Sequence, residues 1–566
     1  MSANRSNPMR HLTTFAAVVL LAAPVRGAEI AVQVDVSADV HPFSTLIFGV
    51  SYGDAARNAE VGYPLVRWGG NSTSRYNWQV DVHNTGSDYF FENIPGASDR
   101  SQVPPIGNAA DAFVSAALNA GAQPLITIPA IGWVARADSP QAHPYFAGFS
   151  VAKYGAQQAV DPWDPDAGNG VDSGGTPITG NDPADTSVAA GPAFQQGWIA
   201  HLDATYGSAA AGGVRFYALD NEIMLWDSTH RDVHPQATSY DEAWNIAASY
   251  GAAIKQQDPG AQVTGPVTWG YCDLFGSAAD NCLDGSDRQA HGGMPFVAWY
   301  LQQICAHPLA GGAHAVDYLD LHYYPQGSNV ALSDDDAPGT AARRLASLKE
   351  LYDPDWVSDS WIADLGDSNA WHYAKPDLIP RVRAWIDQYC PGTKLAITEY
   401  NWGNDGTASG AVAQAELFGI FARESVDMAA RWVAPAQDSR VEHAFRLFLN
   451  YDGNGGRVSG DSVSAVSANA DTLGAYAFSD NARTMLLLTN KDSTAHDAAI
   501  SFATARSGPW HLYGFDADHG VHEISSGSMT GGTSLTLTGL PPMSASLLVL
   551  AGSDLIFADG FEPPAP

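Results

Sequence analysis

The sequence predicts a (β/α)8 barrel joined to a second, smaller antiparallel β-sandwich built from both chain ends. Three observations carry this prediction. Eight short β runs alternate with amphipathic helical patterns between about residues 46 and 435. Helical periodicity stops near residue 455, and short alternating strands follow between Gly, Asn, Asp and Ser turns. Residues 30–36, ahead of the first barrel run, alternate in the same way and are expected to pair with those late strands.

The elements read in chain order as follows. Residues 1–27 look like a signal peptide: Arg5, Arg10 and His11 precede an apolar run over 15–23, and Gly27 and Ala28 offer a cleavage point. That run is too short to span a bilayer, and no other segment approaches about 20 uninterrupted apolar residues. Export, to the medium or the periplasm, is the expectation. Residues 28–45 supply the N-terminal strands of the sandwich, 46–455 the barrel and 456–552 the rest of the sandwich. The barrel runs are 46–52, 65–69, 124–129, 214–219, 263–269, 318–324, 394–398 and 431–434. Between them, residues 109–120, 194–206, 240–257, 295–306, 378–389 and 412–428 repeat apolar positions at three- and four-residue spacing. An open, doubly wound sheet is the rival, but no G-x-G-x-x-G follows the first run. Residues 161–192, rich in Asp, Gly, Asn and Pro, are too long for an ordinary connection. Residues 553–566 read as a tail outside the fold.

Charge narrows the partners. With 28 basic and 61 acidic residues the formal charge is −33. Such a surface repels phosphate backbones, anionic lipid and polyanionic substrates. A monomer acting on a neutral polysaccharide is expected, without nucleic-acid or membrane partners. Export also permits disulfides. Cys272, Cys282, Cys305 and Cys390 allow three connectivities. Cys272 and Cys282 flank one short loop and are the expected pair; four buried thiols are the alternative.

In a barrel of this kind, chemistry sits at the C-terminal ends of the strands. That rule filters the twelve glutamates sharply. Glu242, Glu350, Glu416, Glu424 and Glu442 fall in helical patterns. Glu222 instead follows the fourth run, directly after Asn221, and Glu399 follows the seventh. Glycosidic hydrolysis needs one protonated carboxyl for the leaving oxygen and one ionised carboxylate across the sugar. Ordinary rim carboxylates in salt bridges are the plainer reading of each. Arg67 ends the second run, and an arginine beside a carboxylate favours its ionised form. His322 and Tyr323 end the sixth run, where a Tyr hydroxyl could reach the neighbouring seventh-strand carboxylate. Trp68, Trp133, Trp226, Trp269, Trp402 and Trp432 lie at or beyond strand ends, where an aromatic face suits the C–H face of a sugar. Asn71 completes the candidate substrate-binding set. No H-E-x-x-H supports a catalytic metal, so no cofactor is expected for catalysis.

Several segments together resemble glycoside hydrolase family 44, endoglucanases that include xyloglucan-cleaving members. They are VRWGGNSTSRYNW at 66–78, TIPAIGWVARAD at 127–138, DAGNGVDSGGTPITGNDPADTS at 166–187 and ALDNEIMLWDSTHRDVHP at 218–235. TGPVTWG at 264–270, LDLHYYP at 319–325, ITEYNWG at 397–403 and LNYDGNGG at 449–456 complete the set. The resemblance implies a barrel plus sandwich and a retaining mechanism, with Glu222 as acid/base and Glu399 as nucleophile. Ile223 departs from it, standing where such proteins usually carry Pro. The resemblance also implies a structural calcium. Asp161, Asp164, Asp166, Asp172, Asp182 and Asp185 are the nearby acids, with Asp166, Asp182 and Asp185 as the candidate ligands; a solvated acidic loop is the alternative. An exo-acting, arabinofuranosidase-like barrel enzyme and a non-catalytic carbohydrate-binding protein on the same scaffold remain the competing functions.

Overall fold

The computed structural model describes residues 26–96, 108–137, 146–281, 284–368 and 370–551. The proposed signal peptide and the C-terminal tail therefore lie almost wholly outside the described residues, as does Cys282.

Eight parallel strands close into a barrel. In chain order they are Gly49–Ser51, Leu65–Trp68, Gln123–Ile128, Phe216–Leu219, Gln262–Thr268, Tyr318–His322, Lys394–Tyr400 and Met428–Arg431. Closure comes from the eighth strand pairing with the first, Ala430 opposite Gly49. Leu65, Leu125, Phe216, Ala218, Val267, Tyr318, Ala396, Met428 and Ala430 form one buried cluster from these strands. The (β/α)8 expectation holds, with one strand displaced. The sequence pattern places the eighth strand at 431–434 and carries the helix before it to 428. The helix instead ends at Arg423. Ser425 then takes a left-handed φ of 60° that breaks the helical run. Met428-Ala429-Ala430 has helix-favouring composition, which disguised the strand.

The second sheet has eight strands. Arg26–Asp35 pairs antiparallel with Asp461–Ser467 and parallel with Ala495–Phe515, so the two chain ends meet there as expected. The sheet is thus mixed, not purely antiparallel. Ala495–Phe515 is one long strand that runs past two sets of neighbours. Residues near its start pair with the N-terminal strand, whereas 510–515 pair with Ser544–Ala551. Register shifts between Ser501 and Gly508 interrupt the alternation where the strand passes from one set of neighbours to the other.

Helix Ala408–Arg423 is buried on every face. It lies between barrel and sandwich, and its core is continuous with Phe478, Met485, Leu487 and Leu547 of the second sheet. An all-round apolar helix is the expected filling for such an interior. Its one acid, Glu416, accepts hydrogen bonds from Tyr476 (3.1 Å), Thr489 (3.0 Å) and Lys491 (2.8 Å). Those bonds satisfy a charge that would otherwise be costly to bury. Cys305 and Cys390, at the ends of two neighbouring helices and 85 positions apart in sequence, form a disulfide. Cys272 is also disulfide-bonded; the expected pairing with Cys282 falls outside the described residues.

Candidate active site

The fourth strand ends in a tight turn. Asp220 and Glu222 both adopt left-handed backbone, with φ of 65° and 46°. For residues with a Cβ this costs on the order of 1–3 kcal/mol each. Asp220 supplies the compensation. Its buried carboxylate accepts the backbone N–H groups of Ala130, Ile131 (3.1 Å) and Asn221 (2.8 Å). The turn carrying Asn221 and Glu222 is thereby tied to the end of the third strand. Burial, only partly offset by these donors, raises the Asp220 carboxyl to about 6.

Arg67, fully buried, bridges the second strand to the other two site strands. One guanidinium nitrogen donates to Glu399 at 2.6 Å and the other to Asn221 at 2.7 Å. The same Asn221 oxygen accepts the Gly70 N–H at 3.0 Å. The Gly69-Gly70 pair is required here. A Cβ on Gly69 would lie 2.2 Å from the Arg67 guanidinium, and one on Gly70 (φ 92°) would lie 2.7 Å from the Trp432 ring.

The sixth and seventh strands bring the carboxylates together. Nδ1 of His322 lies 3.0 Å from a Glu222 oxygen and 3.6 Å from a Glu399 oxygen. One oxygen of each glutamate and a His322 ring nitrogen all fall within 4.8 Å of one another. The second Glu399 oxygen accepts the Tyr324 hydroxyl at 2.9 Å. The residue expected there was Tyr323, but its hydroxyl points away, to buried Glu350 at 2.8 Å. Side chains alternate along a strand, so His322 and Tyr324 share the face that Tyr323 cannot reach.

Beneath His322 runs a hydroxyl chain. Thr398 donates to Asp320 at 2.7 Å and lies 3.3 Å from His322 Nε2, while Thr264 donates to the other Asp320 oxygen at 2.5 Å. Burial, despite these donors, raises Asp320 to about 6. Burial and then the Arg67 charge hold the His322 imidazole well below its usual range, so the ring is neutral. Burial first, then the Glu399 charge, raise Glu222 well above an ordinary glutamate; Asp273 and Asp88 push the same way, against Arg67.

The tryptophans divide. Trp402 is 2% exposed and donates its Nε1 to Ser347 at 3.0 Å, so its ring packs in the core and offers no face to a sugar. Trp226, 1% exposed, packs on His234. Trp68 packs among Tyr52, Tyr76 and Phe113. Trp432, joined to Val433 by a cis peptide bond, stays half-buried with the Arg67 guanidinium 6.0 Å from its ring centre. Trp269 lines a cavity of about 260 Å3 with Met224, Leu225 and Asp227, from the segment that follows Glu222 in the chain. Trp133 lies half-buried on a short strand paired with Ser187–Ala189. Asn71 accepts from Asn221 at 3.3 Å and donates to Asp88 at 3.1 Å.

The three acids expected to hold calcium are engaged by local donors. Asp166 accepts from Ser150 and Ala152, Asp182 caps the turn at Ala184, and Asp185 accepts from Lys153 and Tyr154. A different pair is stressed. Glu92, 1% exposed, has an Oε1 without a hydrogen-bond partner. Burial first, then its hydrogen bond to Asp161 and that residue's charge, push Glu92 up from 4.5 to about 8. Among the described residues, groups of three ligating side chains converge only as Glu222, His322 and Glu399, and as Cys305, His314 and Cys390. The sulfurs of the second group are joined to each other.

Comparison with known proteins agrees with this geometry. The family model described as glycoside hydrolase family 44 matches residues 82–327. The crystal structure of CelM2, a bifunctional glucanase-xylanase from a metagenome library, superposes with a TM-score of 0.86 at 38% identity, covering 93% of this chain and 100% of that one. A Paenibacillus polymyxa xyloglucanase of family 44 superposes at 0.76 with 26% identity, over 93% and 100% of the two chains. Endoglucanase A of Paenibacillus lautus is 27% identical over 522 residues, 88% of this chain and 68% of that protein. A closed (β/α)8 barrel with two glutamates converging at its mouth is the architecture of a glycoside hydrolase. The chain belongs to glycoside hydrolase family 44.

Proposed function

We propose that the chain is a secreted, retaining endo-β-1,4-glucanase acting on neutral β-glucans such as cellulose derivatives or xyloglucan. The observation that carries this reading is the close approach of Glu222 and Glu399, with oxygens within 4.8 Å, in unlike surroundings. Retaining enzymes hold their carboxyl groups about 5–5.5 Å apart, whereas inverting ones leave about 6.5–9.5 Å for a water. The names of the relatives support a glucan substrate, and the charge of −33 agrees with a neutral one. Export rests on the N-terminal sequence. No helix among the described residues is long and apolar enough to cross a membrane.

In this reading Glu222 is the acid/base. It gives its proton to the leaving oxygen while Glu399 attacks the anomeric carbon to form the glycosyl-enzyme. Glu222 then removes a proton from the water that releases the sugar. Arg67 and Tyr324 each donate to one Glu399 oxygen and fix its aim. The test is stereochemical: NMR of the first-formed product should show the β-anomer. Glu399→Gln should lose about 4–8 kcal/mol of transition-state stabilisation on every substrate. Glu222→Ala should lose far less on an activated aryl glycoside, and azide should rescue it as the β-glycosyl azide. An α-anomer as first product rules out the mechanism and both roles. Viscosity that falls well before reducing ends accumulate separates endo cutting from exo cutting and from mere binding.

A structural calcium is part of the same proposal, with its ligands moved. Glu92 and Asp161, close to Asp164, replace Asp166, Asp182 and Asp185 as the candidates. An orphaned, buried carboxylate oxygen beside a second carboxylate suits a hard cation with oxygen ligands. The ion would neutralise the pair and hold the loop; no catalytic step needs it.

A further inference from the structure

The turn joining strands Ala495–Phe515 and His522–Leu540 carries Asp516, His519 and Gly520, and His522 opens the second strand. The turn packs against the last barrel helix, Arg440–Leu449: a Cβ on Gly520 would lie 2.5 Å from the His443 ring. Two exposed imidazoles stand side by side here. The ring centres of His519 and His522 are 5.5 Å apart, with the planes inclined by 56°. Each ring already has its Nδ1 engaged. His519 Nδ1 lies 2.9 Å from an Asp516 oxygen, and His522 Nδ1 lies 2.9 Å from the Gly520 carbonyl oxygen. Those oxygens only accept, so each neutral ring places its proton on Nδ1, a tautomer assigned from the network. Each Nε2 is then a bare lone pair, and among the described residues no hydrogen bond reaches it.

This is how a metal-binding histidine is prepared. Its N–H goes to a carboxylate or a backbone carbonyl, which fixes the tautomer, orients the ring and raises the basicity of the other nitrogen. The spacing also suits a shared ion. An ion about 2.0–2.1 Å from each nitrogen sits roughly 3 Å from each ring centre, so two imidazoles on one ion hold their centres about 5–6 Å apart. Charge points the same way. His522 lines a cavity of about 560 Å3 whose wall carries Glu60, Asp438, Asp452 and Glu523 against one arginine, Arg446. Four carboxylates in a chain of formal charge −33 attract a cation. We propose that His519 and His522 form a surface site for one divalent transition-metal ion that prefers imidazole, Zn2+, Ni2+ or Cu2+, held by both Nε2 atoms. Among the described residues no third ligating side chain comes within 4.8 Å of both, so water completes the coordination and the ion exchanges freely. Cu2+ binds most tightly of the three, as it does at nitrogen sites generally. The site is separate from the oxygen ligands of the calcium reading and from the glutamates at the barrel mouth.

Cu2+ is the probe, added to the untagged enzyme in calcium-containing buffer. Calorimetric titration should find one tight ion per chain, and electron paramagnetic resonance should show coupling to two imidazole nitrogen ligands. His519→Gln and His522→Gln should each weaken binding about tenfold or more and leave coupling to one imidazole at most. Asp516→Asn keeps an acceptor for the N–H groups of the turn but loses the carboxylate behind His519, and should weaken binding about tenfold. The side chains changed lie on an exposed turn, so melting without Cu2+ should match wild type and confirm folded variants. Glu222, His322 and Glu399 are the competing ligands, and they offer a single imidazole. Binding that survives both histidine variants belongs to them or to scattered surface groups, and overturns the proposal. Coupling to one imidazole in the wild-type enzyme, loss of binding in only one of the two histidine variants, or an unchanged affinity in Asp516→Asn overturns it as well.

Discussion

Thr398→Val tests how the site keeps its acid protonated. The Thr398 hydroxyl has one proton, and at 2.7 Å from Asp320 it gives that proton to a carboxylate. Toward His322 Nε2, 3.3 Å away, it can therefore only accept. A neutral imidazole carries one N–H, so placing it on Nε2 leaves a bare lone pair on Nδ1. The 3.0 Å contact from Nδ1 to Glu222 is then a hydrogen bond only if Glu222 carries the proton. The tautomer is assigned here from the network, and the substitution removes the group that assigns it. In Thr398→Val, Nε2 loses its acceptor, and the ring gains by placing its proton on Nδ1, where it donates to an ionised Glu222. A hydrogen bond to a charged group contributes about 1.5–3 kcal/mol against about 0.5–1.5 kcal/mol for a neutral one. The swing is about 1–2 kcal/mol toward the carboxylate, roughly a five- to thirtyfold smaller protonated fraction. The assay is the pH profile of kcat/KM on a β-glucan with an unactivated leaving group. Its alkaline limb, where Glu222 deprotonates, should move to lower pH in Thr398→Val and stay in place in Thr398→Ser. An alkaline limb that coincides with wild type in Thr398→Val, or one that moves equally in Thr398→Ser, refutes the chain from Asp320 to Glu222.

Three further outcomes are expected. Tyr324→Phe should lower kcat by about 1.5–3 kcal/mol of barrier with little change in melting, whereas Tyr323→Phe, which leaves one oxygen of buried Glu350 without its donor while Ser358 still serves the other, should lower stability by about 1–3 kcal/mol and spare kcat; steady-state kinetics and thermal melts separate them. Glu92 has a folded pKa of about 8, raised above its ordinary 4.5, so without a cation its contribution is full below about 4.5 and is lost as pH rises toward 8. Calcium replaces that proton, so the stability gap between calcium-loaded and chelated enzyme should widen across that window, and Glu92→Gln should abolish the widening. Replacing Cys305 and Cys390 by Ser should destabilise by up to roughly 4–5 kcal/mol, the chain-entropy value for so long a loop, as read by denaturant melts.

Much of the architecture was legible because it follows from period and punctuation. Six helical patterns between β runs place six of the observed helical segments within a few residues, although the run 240–257 contains a π-turn over Ala247–Gly251 that periodicity does not reveal. Glu222 and Glu399 were legible because strand-end position is a strong filter on twelve glutamates. Tyr324 was within reach and was missed: in Asp320-Leu321-His322-Tyr323-Tyr324, alternation places Asp320, His322 and Tyr324 on one face. Asp220 gave a weaker signal, since nothing local says that its carboxylate will cap the third strand's loop. The tryptophans were not separable by type. Trp402 and Trp269 read alike in sequence and differ only in whether Ser347 and Arg344 or a cavity stand beside them. Glu92 was out of reach for a simpler reason: it meets Asp161 across a fold and not along a loop.

The same network bears on which glutamate does which task. Two carboxylates with oxygens within 4.8 Å repel by about 3–4 kcal/mol at an effective dielectric near 20, so the empty site favours one proton between them. If Glu399 held it, the Arg67 guanidinium would face a neutral acid, and Glu222 would present a carboxylate to the bare Nδ1 of His322. Both contacts would be lost or turned repulsive. With the proton on Glu222, Arg67 and Tyr324 each find an acceptor on Glu399, and Glu222 donates to Nδ1. The hydrogen bonds that join Arg67, Tyr324 and His322 to the two glutamates are then all made at once. The preference survives the formation of a glycosyl-enzyme in an informative way. Esterifying Glu399 removes its charge, and with it the second cause of Glu222's raised pKa. Glu222 is thereby easier to ionise at the step where it must act as a base toward water. A donor in the first half of the reaction becomes an acceptor in the second without any movement of the protein.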